Sequence, residues 1–424
     1  MSARVAIAYG KGMLDLDLPC REVSVIEPKR TPGLPDEAAA TLQALDQPVG
    51  CPALRDWLAP GKSICIAFSD LTRPTPNDRI IPWLLKYLER QGVQRQQITL
   101  LNGTGTHRPN TPAELEKLLT ARVAREYRVV NHDCNLAGDL VEVGRSREGV
   151  PALLNRHFVQ ANVRIVTGFI EPHFFAGFSG GPKGIMPALA GAQTIIANHG
   201  AKNIGHPRAT FGVTEGNPIW EGMRDVALCA GPAFLLNVSL NEHRQITGVF
   251  AGDLIAGHRA GIEFVRRSAM RPVDRPFEVV ITTNSGYPLD LNLYQSNKGM
   301  KAAAQIVREG GTIIMAAECC EGLPEGSSFE QLLMKAGSAA ELLKLINTPG
   351  FHWPEQWAAH VQTLVQSKAE VAFYSSLPPA VVRRAHLEPC PDIAQMVAAK
   401  LALRGPEARV AVLPFGPLTI PYLQ

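Results

Sequence analysis

The chain reads as an α/β protein of two α/β domains, with largely parallel sheets and an active-site cleft between the domains. Three observations predict this. Short apolar runs alternate with helical patterns, the order expected of βα units feeding a parallel sheet. At 424 residues the chain is too long for one core and divides into two or three domains. The segment Arg271-Pro-Val-Asp-Arg-Pro276 breaks the pattern and reads as a hinge, separating residues 1–270 from residues 271–424, whose last residues can pack back on the first domain.

The elements follow in order. The opening Met1-Ser-Ala-Arg-Val-Ala-Ile-Ala-Tyr-Gly10 has no signal-peptide profile and reads as a first strand. Ser63-Ile-Cys-Ile-Ala-Phe68 is a strand, Asp70-Leu-Thr-Arg-Pro-Thr-Pro its exit loop, and Arg79 to Arg90 a helix stopping near Gly92. Gln97 to Leu101 is the next strand, leaving through Asn102-Gly-Thr-Gly-Thr-His-Arg108. Thr111-Pro-Ala-Glu114 then opens a helix as a capping box with proline at its first position. Arg128 to Val130 and Val163 to Val166 are further strands, and Ala190 to Ala197 is helical. In the second block, strand Glu278–Thr282, a helix near Ser296 to Arg308 and strand Thr312–Ala317 make a βαβ unit. Helical stretches follow at Phe329 to Leu345, Pro354 to Gln366 and Asp392 to Leu403, with strands at Val371 to Tyr374 and Val410 to Leu413.

Composition narrows the function. Hydrophobic residues make up 46% and charged residues 19%, and the net charge of +3 builds no basic field for nucleic acid or anionic lipid. No run is long and apolar enough to span a membrane. The eight cysteines are scattered without a CxxC pair, which argues against zinc ribbons and disulfide frameworks and fits a reducing cytoplasm. Adjacent Cys319 and Cys320 read as small buried hydrophobes.

Three exit loops carry the reactive side chains. The first holds Asp70, Leu71, Thr72 and Arg73, and the second Thr104, Thr106, His107 and Arg108. The third is Gly168-Phe-Ile-Glu-Pro-His173-Phe-Phe-Ala-Gly-Phe-Ser-Gly-Gly-Pro-Lys183-Gly-Ile, with His199 on the helix after it. If the strands are parallel, all three loops open on one edge of the sheet. The bland readings are an Asp70–Arg73 ion pair, threonines that only make turns, and structural histidines; Gly103-Thr-Gly-Thr also forms a nest suited to phosphate. A P-loop fails, because counting from Gly177 the chain has Pro182 and Gly184 where glycine and a hydroxyl belong. A three-histidine zinc hydrolase stays open, and so does a racemase with two acid/base groups facing opposite sides of one carbon.

These residues resemble a known family. Asp70-x-Thr-Arg-Pro, Gly103-Thr-Gly-Thr-His-Arg, Glu171-Pro-His-x-Phe-Ala-Gly-x-Ser-Gly-Gly-x-Lys, Asn198-His199 and Tyr294-Gln-Ser-Asn-Lys298 occur in the order found in lactate racemases that use a nickel-pincer nucleotide. The resemblance implies that Lys183 holds the cofactor covalently, that His199 is the protein ligand of nickel, and that His107 and His173 are the catalytic acid/base pair. It further implies that Asp70, Leu71, Thr72 and Arg73 bind nucleotide and the substrate's acid end, and that Gln295 and Lys298 reach cofactor and substrate. Cofactor-biosynthesis enzymes are the implied partners. Pro182 departs from the pattern, since lactate-specific members are expected to carry arginine there, so the resemblance fixes a 2-hydroxy acid but not its side chain.

The chemistry suits these parts. A C2 hydrogen beside an ionised carboxylate is too weak an acid for a histidine that titrates near neutrality. Removal as hydride avoids the carbanion, and such chemistry belongs to a cofactor. A protein that merely carried the nickel nucleotide would not need two histidines and a carboxylate clamp.

Overall fold

The computed structural model describes residues 2–20, 22–147, 149–324, 326–405 and 407–424. The chain forms two compact units, each assembled from separated stretches. The first comprises Arg30–His199 and Val213–Ser268; the second comprises Met1–Lys29, Gly200–Gly212 and Ala269–Gln424.

The first unit is built on a six-stranded sheet in the order Ile246–Asp253, Phe234–Leu240, Val163–Phe169, Ile64–Ser69, Ile98–Gly103, Arg128–Asn131. All neighbours are parallel except the antiparallel Phe234–Leu240 and Ile246–Asp253 pair. The central strand Ile64–Ser69 is buried along nearly its whole length, which is why it reads as a continuous apolar run rather than an alternating one. Helix Asn77–Arg90 turns Ile80, Leu84 and Leu88 onto Ile66 and Phe68 of that strand. Each such fully buried side chain is worth about 1.5–3 kcal/mol. The chain runs outward from Ile64–Ser69 in one direction, then returns to start Val163–Phe169 on its other side. The strand order therefore reverses between these two, and the loops after Ser69 and Phe169 flank the switch point, where open α/β sheets bind ligands.

The second unit holds another six-stranded sheet, in the order Glu388–Pro389, Glu370–Tyr374, Val307–Ala316, Phe277–Thr283, Val410–Leu413, Val23–Val25, with every pair parallel. Its switch point lies between Phe277–Thr283 and Val410–Leu413, and the protein's own N-terminal hairpin fills it. Strands Ala3–Tyr9 and Gly12–Leu18 pair antiparallel. At their turn, the Gly10 N–H donates to Asp290 Oδ2 (2.8 Å), its carbonyl accepts from Tyr287 N–H (2.6 Å), and Ala8 N–H donates to the Pro414 carbonyl (3.0 Å). Ile7, Leu16 and Leu18 join Val279, Ile281 and Val412 in one core.

Some local expectations shift. The helix expected from Ser296 begins at Leu293, because Asn292 caps it by accepting from Gln295 N–H (3.2 Å), and it ends at Ala303 so that Val307 can start a strand. The stretch expected as one helix from Phe329 to Leu345 is two, Ser328–Leu333 and Ala339–Ile346, the second restarted by the Ser338 cap. The segment expected as a hinge begins as strand Met270–Val273, paired with the C-terminal strand Ile420–Leu423. Cys319 is buried as expected, whereas Cys320 is exposed. Among the described residues no helix is long and apolar enough to cross a membrane.

Candidate active site

The three reactive loops do leave adjacent parallel strands, so they open on one edge of the first unit's sheet. Asp70 follows Ile64–Ser69 directly and is 2% exposed. Its Oδ2 lies 2.6 Å from His107 Nδ1, on the loop after the neighbouring strand, while Oδ1 accepts from the Thr72 hydroxyl (2.7 Å) and the Thr72 N–H (3.2 Å). Burial pushes the Asp70 carboxyl up, but the bond and charge of His107, with Arg73 and the Thr72 hydroxyl, outweigh it and hold the group below its ordinary value. An ionised carboxylate only accepts, so His107 donates from Nδ1 and Asp70 leaves its Nε2 unengaged. Asn110 binds the two loops together: its Oδ1 accepts from Leu71 N–H (3.3 Å) and from Asn102 Nδ2 (2.9 Å). The Leu71 side chain is exposed.

The third loop folds back as a small hairpin in which His173 pairs with Gly177. Gly177 has φ +77°, and a Cβ there would stand 2.2 Å from the Val213 carbonyl, so no larger residue closes this turn. The Ala176 N–H donates to His173 Nδ1 (3.3 Å). The His173 ring stacks on Phe174 (4.8 Å between centroids) and meets the edge of Phe175 (4.6 Å), which in turn lies edge-on to His199 at 5.2 Å. Ser179, a candidate for chemistry in the sequence, is a clip instead: its hydroxyl donates to the Phe169 carbonyl and accepts from Glu171 N–H, both at 2.9 Å. Lys183 stands in the short turn Gly181–Gly184, which the buried Pro182 opens.

His199 closes helix Ala192–Asn198 and is 5% exposed. Burial, with the nearby Lys183 charge second, pushes its pKa down to about 3, so the ring is a neutral imidazole. Among the described residues no group of three His, Cys, Asp or Glu side chains is placed to hold a metal ion. The three-histidine zinc site left open by the sequence thus has no counterpart among them. A metal held here by one imidazole would have to bring its other donors with it.

Other expected residues are engaged differently. Arg108 makes a bidentate pair with Glu114 (2.7 and 2.8 Å) at the surface. Thr104 donates to the His132 carbonyl (2.6 Å), and the N–H groups of Thr104, Gly105 and His107 bond to Asn102, Ala188 and Thr104, so the expected phosphate nest is spent on the fold. Gln295 and Lys298 lie on helix Leu293–Ala303 of the second unit, half-buried, with Gln295 in the first turn. Two residues outside the sequence-based set hold the third loop: Asn237 accepts from Gly181 N–H (2.8 Å), and His258 Nε2 lies 2.8 Å from the Ser179 carbonyl. Neither stands in a motif, and no sequence signal marks them.

Residues 9–212 match the lactate racemase N-terminal domain and residues 273–420 the lactate racemase C-terminal domain. The chain is 38% identical over 379 residues to a lactate racemase of Lactiplantibacillus plantarum, covering 88% of each protein. The chain belongs to the lactate racemase family. A lactate racemase of Thermoanaerobacterium thermosaccharolyticum is 33% identical over 420 residues, 98% of each chain. The structure of the apoprotein from that organism superposes with a TM-score of 0.93 at 32% identity, covering 99% of this chain and all of that one. A Thermotoga maritima protein shares the fold alone, with a TM-score of 0.69 at 19% identity over 93% of this chain. As a member of the lactate racemase family the chain is an isomerase, and its mixed α/β fold with two large parallel sheets is that of the family.

Proposed function

We propose that this enzyme inverts C2 of a 2-hydroxy carboxylic acid, with lactate the first substrate to test, through a 2-keto acid intermediate. The observation that carries the reading is the Asp70–His107 pair at 2.6 Å, at the sheet edge from which the loop bearing His173 and Lys183 also leaves. A nickel-pincer nucleotide made by dedicated biosynthetic enzymes would be held by Lys183 covalently and by His199 through its metal, and when bound it supplies the hydride acceptor that no side chain here offers.

The protein's part is proton handling and orientation. His107 takes the hydroxyl proton at Nε2 while Asp70 balances the imidazolium that forms. His173 would serve the opposite enantiomer once the 3.3 Å contact from Ala176 N–H to its Nδ1 gives way and the proton moves to Nδ1, freeing Nε2; one base per hand is why two are needed. Arg73 supplies a cation for the substrate carboxylate, and Lys298 and Gln295 keep the carboxylate and cofactor roles implied by the family motifs. The water-poor setting of His199, edge-on to Phe175, keeps the metal ligand neutral. The test is a pair of single replacements, His107→Ala and His173→Ala, with optical purity followed from each enantiomer. Racemisation should collapse in both, and undiminished turnover in both would refute the two-base scheme. Nickel content with a covalent mass increment mapping to Lys183 supports the cofactor, and zinc without an increment overturns it.

A further inference from the structure

We propose that Asn237 and His258 are positioning residues for the Lys183 tether, moulding the Ser179–Gly181 backbone so that the lysine leaves it in one conformation; the proposal rests on reading Lys183 as the tether. The two residues come from separate elements, strand Phe234–Leu240 and helix Leu254–Ala269, and grip opposite sides of Gly180. Asn237 Oδ1 accepts from Gly181 N–H at 2.8 Å, and His258 Nε2 donates to the Ser179 carbonyl at 2.8 Å.

Loop and clamps interlock sterically. A Cβ on Gly180 would lie 2.5 Å from Asn237 Oδ1, and one on Gly181 would lie 2.3 Å from the His258 ring. Gly180 at φ +78°, ψ −171° occupies a region open essentially to glycine alone. The bare backbone is therefore shaped to these two side chains as well as cleared for a ligand. Asn237 is 0% and His258 1% exposed, and the imidazole lies flat along Trp220 (6.5 Å, 14°), so neither faces substrate. Burial pushes the His258 pKa down to about 4, leaving a neutral ring whose single proton is committed to Ser179. The tether turn starts at this grip: Lys183 N–H donates to the Gly180 carbonyl (3.1 Å), so the Gly180–Gly181 conformation sets where the lysine emerges. A glycine-rich loop released from either grip has many conformations to lose before the amine can reach the cofactor it is to hold.

The test compares wild type with His258→Leu, His258→Gln and Asn237→Ala, each produced beside the cofactor-making enzymes and sampled over time. The readouts are the fraction of chains with a covalent increment on Lys183, by intact mass and peptide mapping, and kcat and KM per loaded chain. Losing one buried hydrogen bond corresponds to roughly a tenfold change. His258→Leu and Asn237→Ala should load about tenfold more slowly yet keep wild-type KM once loaded, and His258→Gln, which retains an N–H donor, should recover most of the loading. Folding is checked by circular dichroism, and Asn237→Ser replaces Asn237→Ala if the latter does not fold. An increment that forms at the wild-type rate in the folded Leu and Ala variants overturns the positioning role alone. No increment on wild-type Lys183 overturns the tether and this inference with it.

Discussion

Replacing Asp70 by Asn should impair racemisation through the tautomer of His107 rather than through shape. In wild type, Asp70 Oδ1 receives the Thr72 hydroxyl and N–H, and Oδ2 receives His107 Nδ1–H. Asparagine must keep its oxygen toward the two Thr72 donors, which turns its NH₂ toward His107. The imidazole then accepts at Nδ1 and carries its proton on Nε2, the atom that has to act as the base. The lost interaction is a charge-assisted bond to a carboxylate that is 2% exposed, worth roughly 2 kcal/mol, or about 30-fold in kcat. The assay is the initial rate of enantiomer interconversion by chiral chromatography, divided by the fraction of chains carrying the Lys183 increment. A kcat per loaded chain within threefold of wild type would show that Asp70 does not set the His107 tautomer.

Lys183→Arg keeps the positive charge but removes the amine that can condense, so the mass increment and racemisation should both vanish; an arginine variant that retains activity would contradict a covalent tether. Asn110→Ala leaves the Leu71 N–H and one of the two Asn102 amide hydrogens without an acceptor, the other staying on Asn131 Oδ1, and should cost about 2 kcal/mol of stability, read as a lower urea midpoint and a raised KM. His258 and His360 are both pushed down to about 4, chiefly by burial. Their neutral folded forms contribute stability that is fully present above the unfolded value near 6.5 and is lost as pH falls toward 4. Each should therefore remove about 2 kcal/mol between pH 7.5 and pH 5, seen as a falling urea midpoint. Coincident unfolding curves at the two pH values would contradict that accounting.

Much of the fold was legible because it is locally encoded. Ser63 to Phe68 announces a doubly covered strand by composition alone, and Thr111 and Glu114 form the reciprocal capping box their spacing predicts. What was not legible depends on partners far away in sequence. Nothing near Val23 indicates that it pairs with Val410, nor does Gly10 show that it will sit beneath Asp290. The site divides the same way. The three loops could be read from motifs, and the roles of His107 and Asp70 sharpened once their separation was known. Thr104, Arg108 and Ser179 looked chemical because their side chains are polar, yet each is consumed by a bond to the surrounding fold. Asn237 and His258 lie within apolar stretches, where a buried polar residue carries no periodic signature.

The pairing of Val23–Val25 with Val410–Leu413 also constrains the order in which the protein can be made. Domains fold as they leave the ribosome, N-terminal parts first. The unit bearing Asp70, His107 and Lys183 has all of its residues once Ser268 has emerged. The other unit must wait: its edge strand and its N-terminal hairpin are synthesised first and find their places only when the final strands appear. Ile7, Leu16 and Leu18 thus have no partners beyond the hairpin until Val279 and the residues after it have been made, and slow synthesis prolongs that exposure.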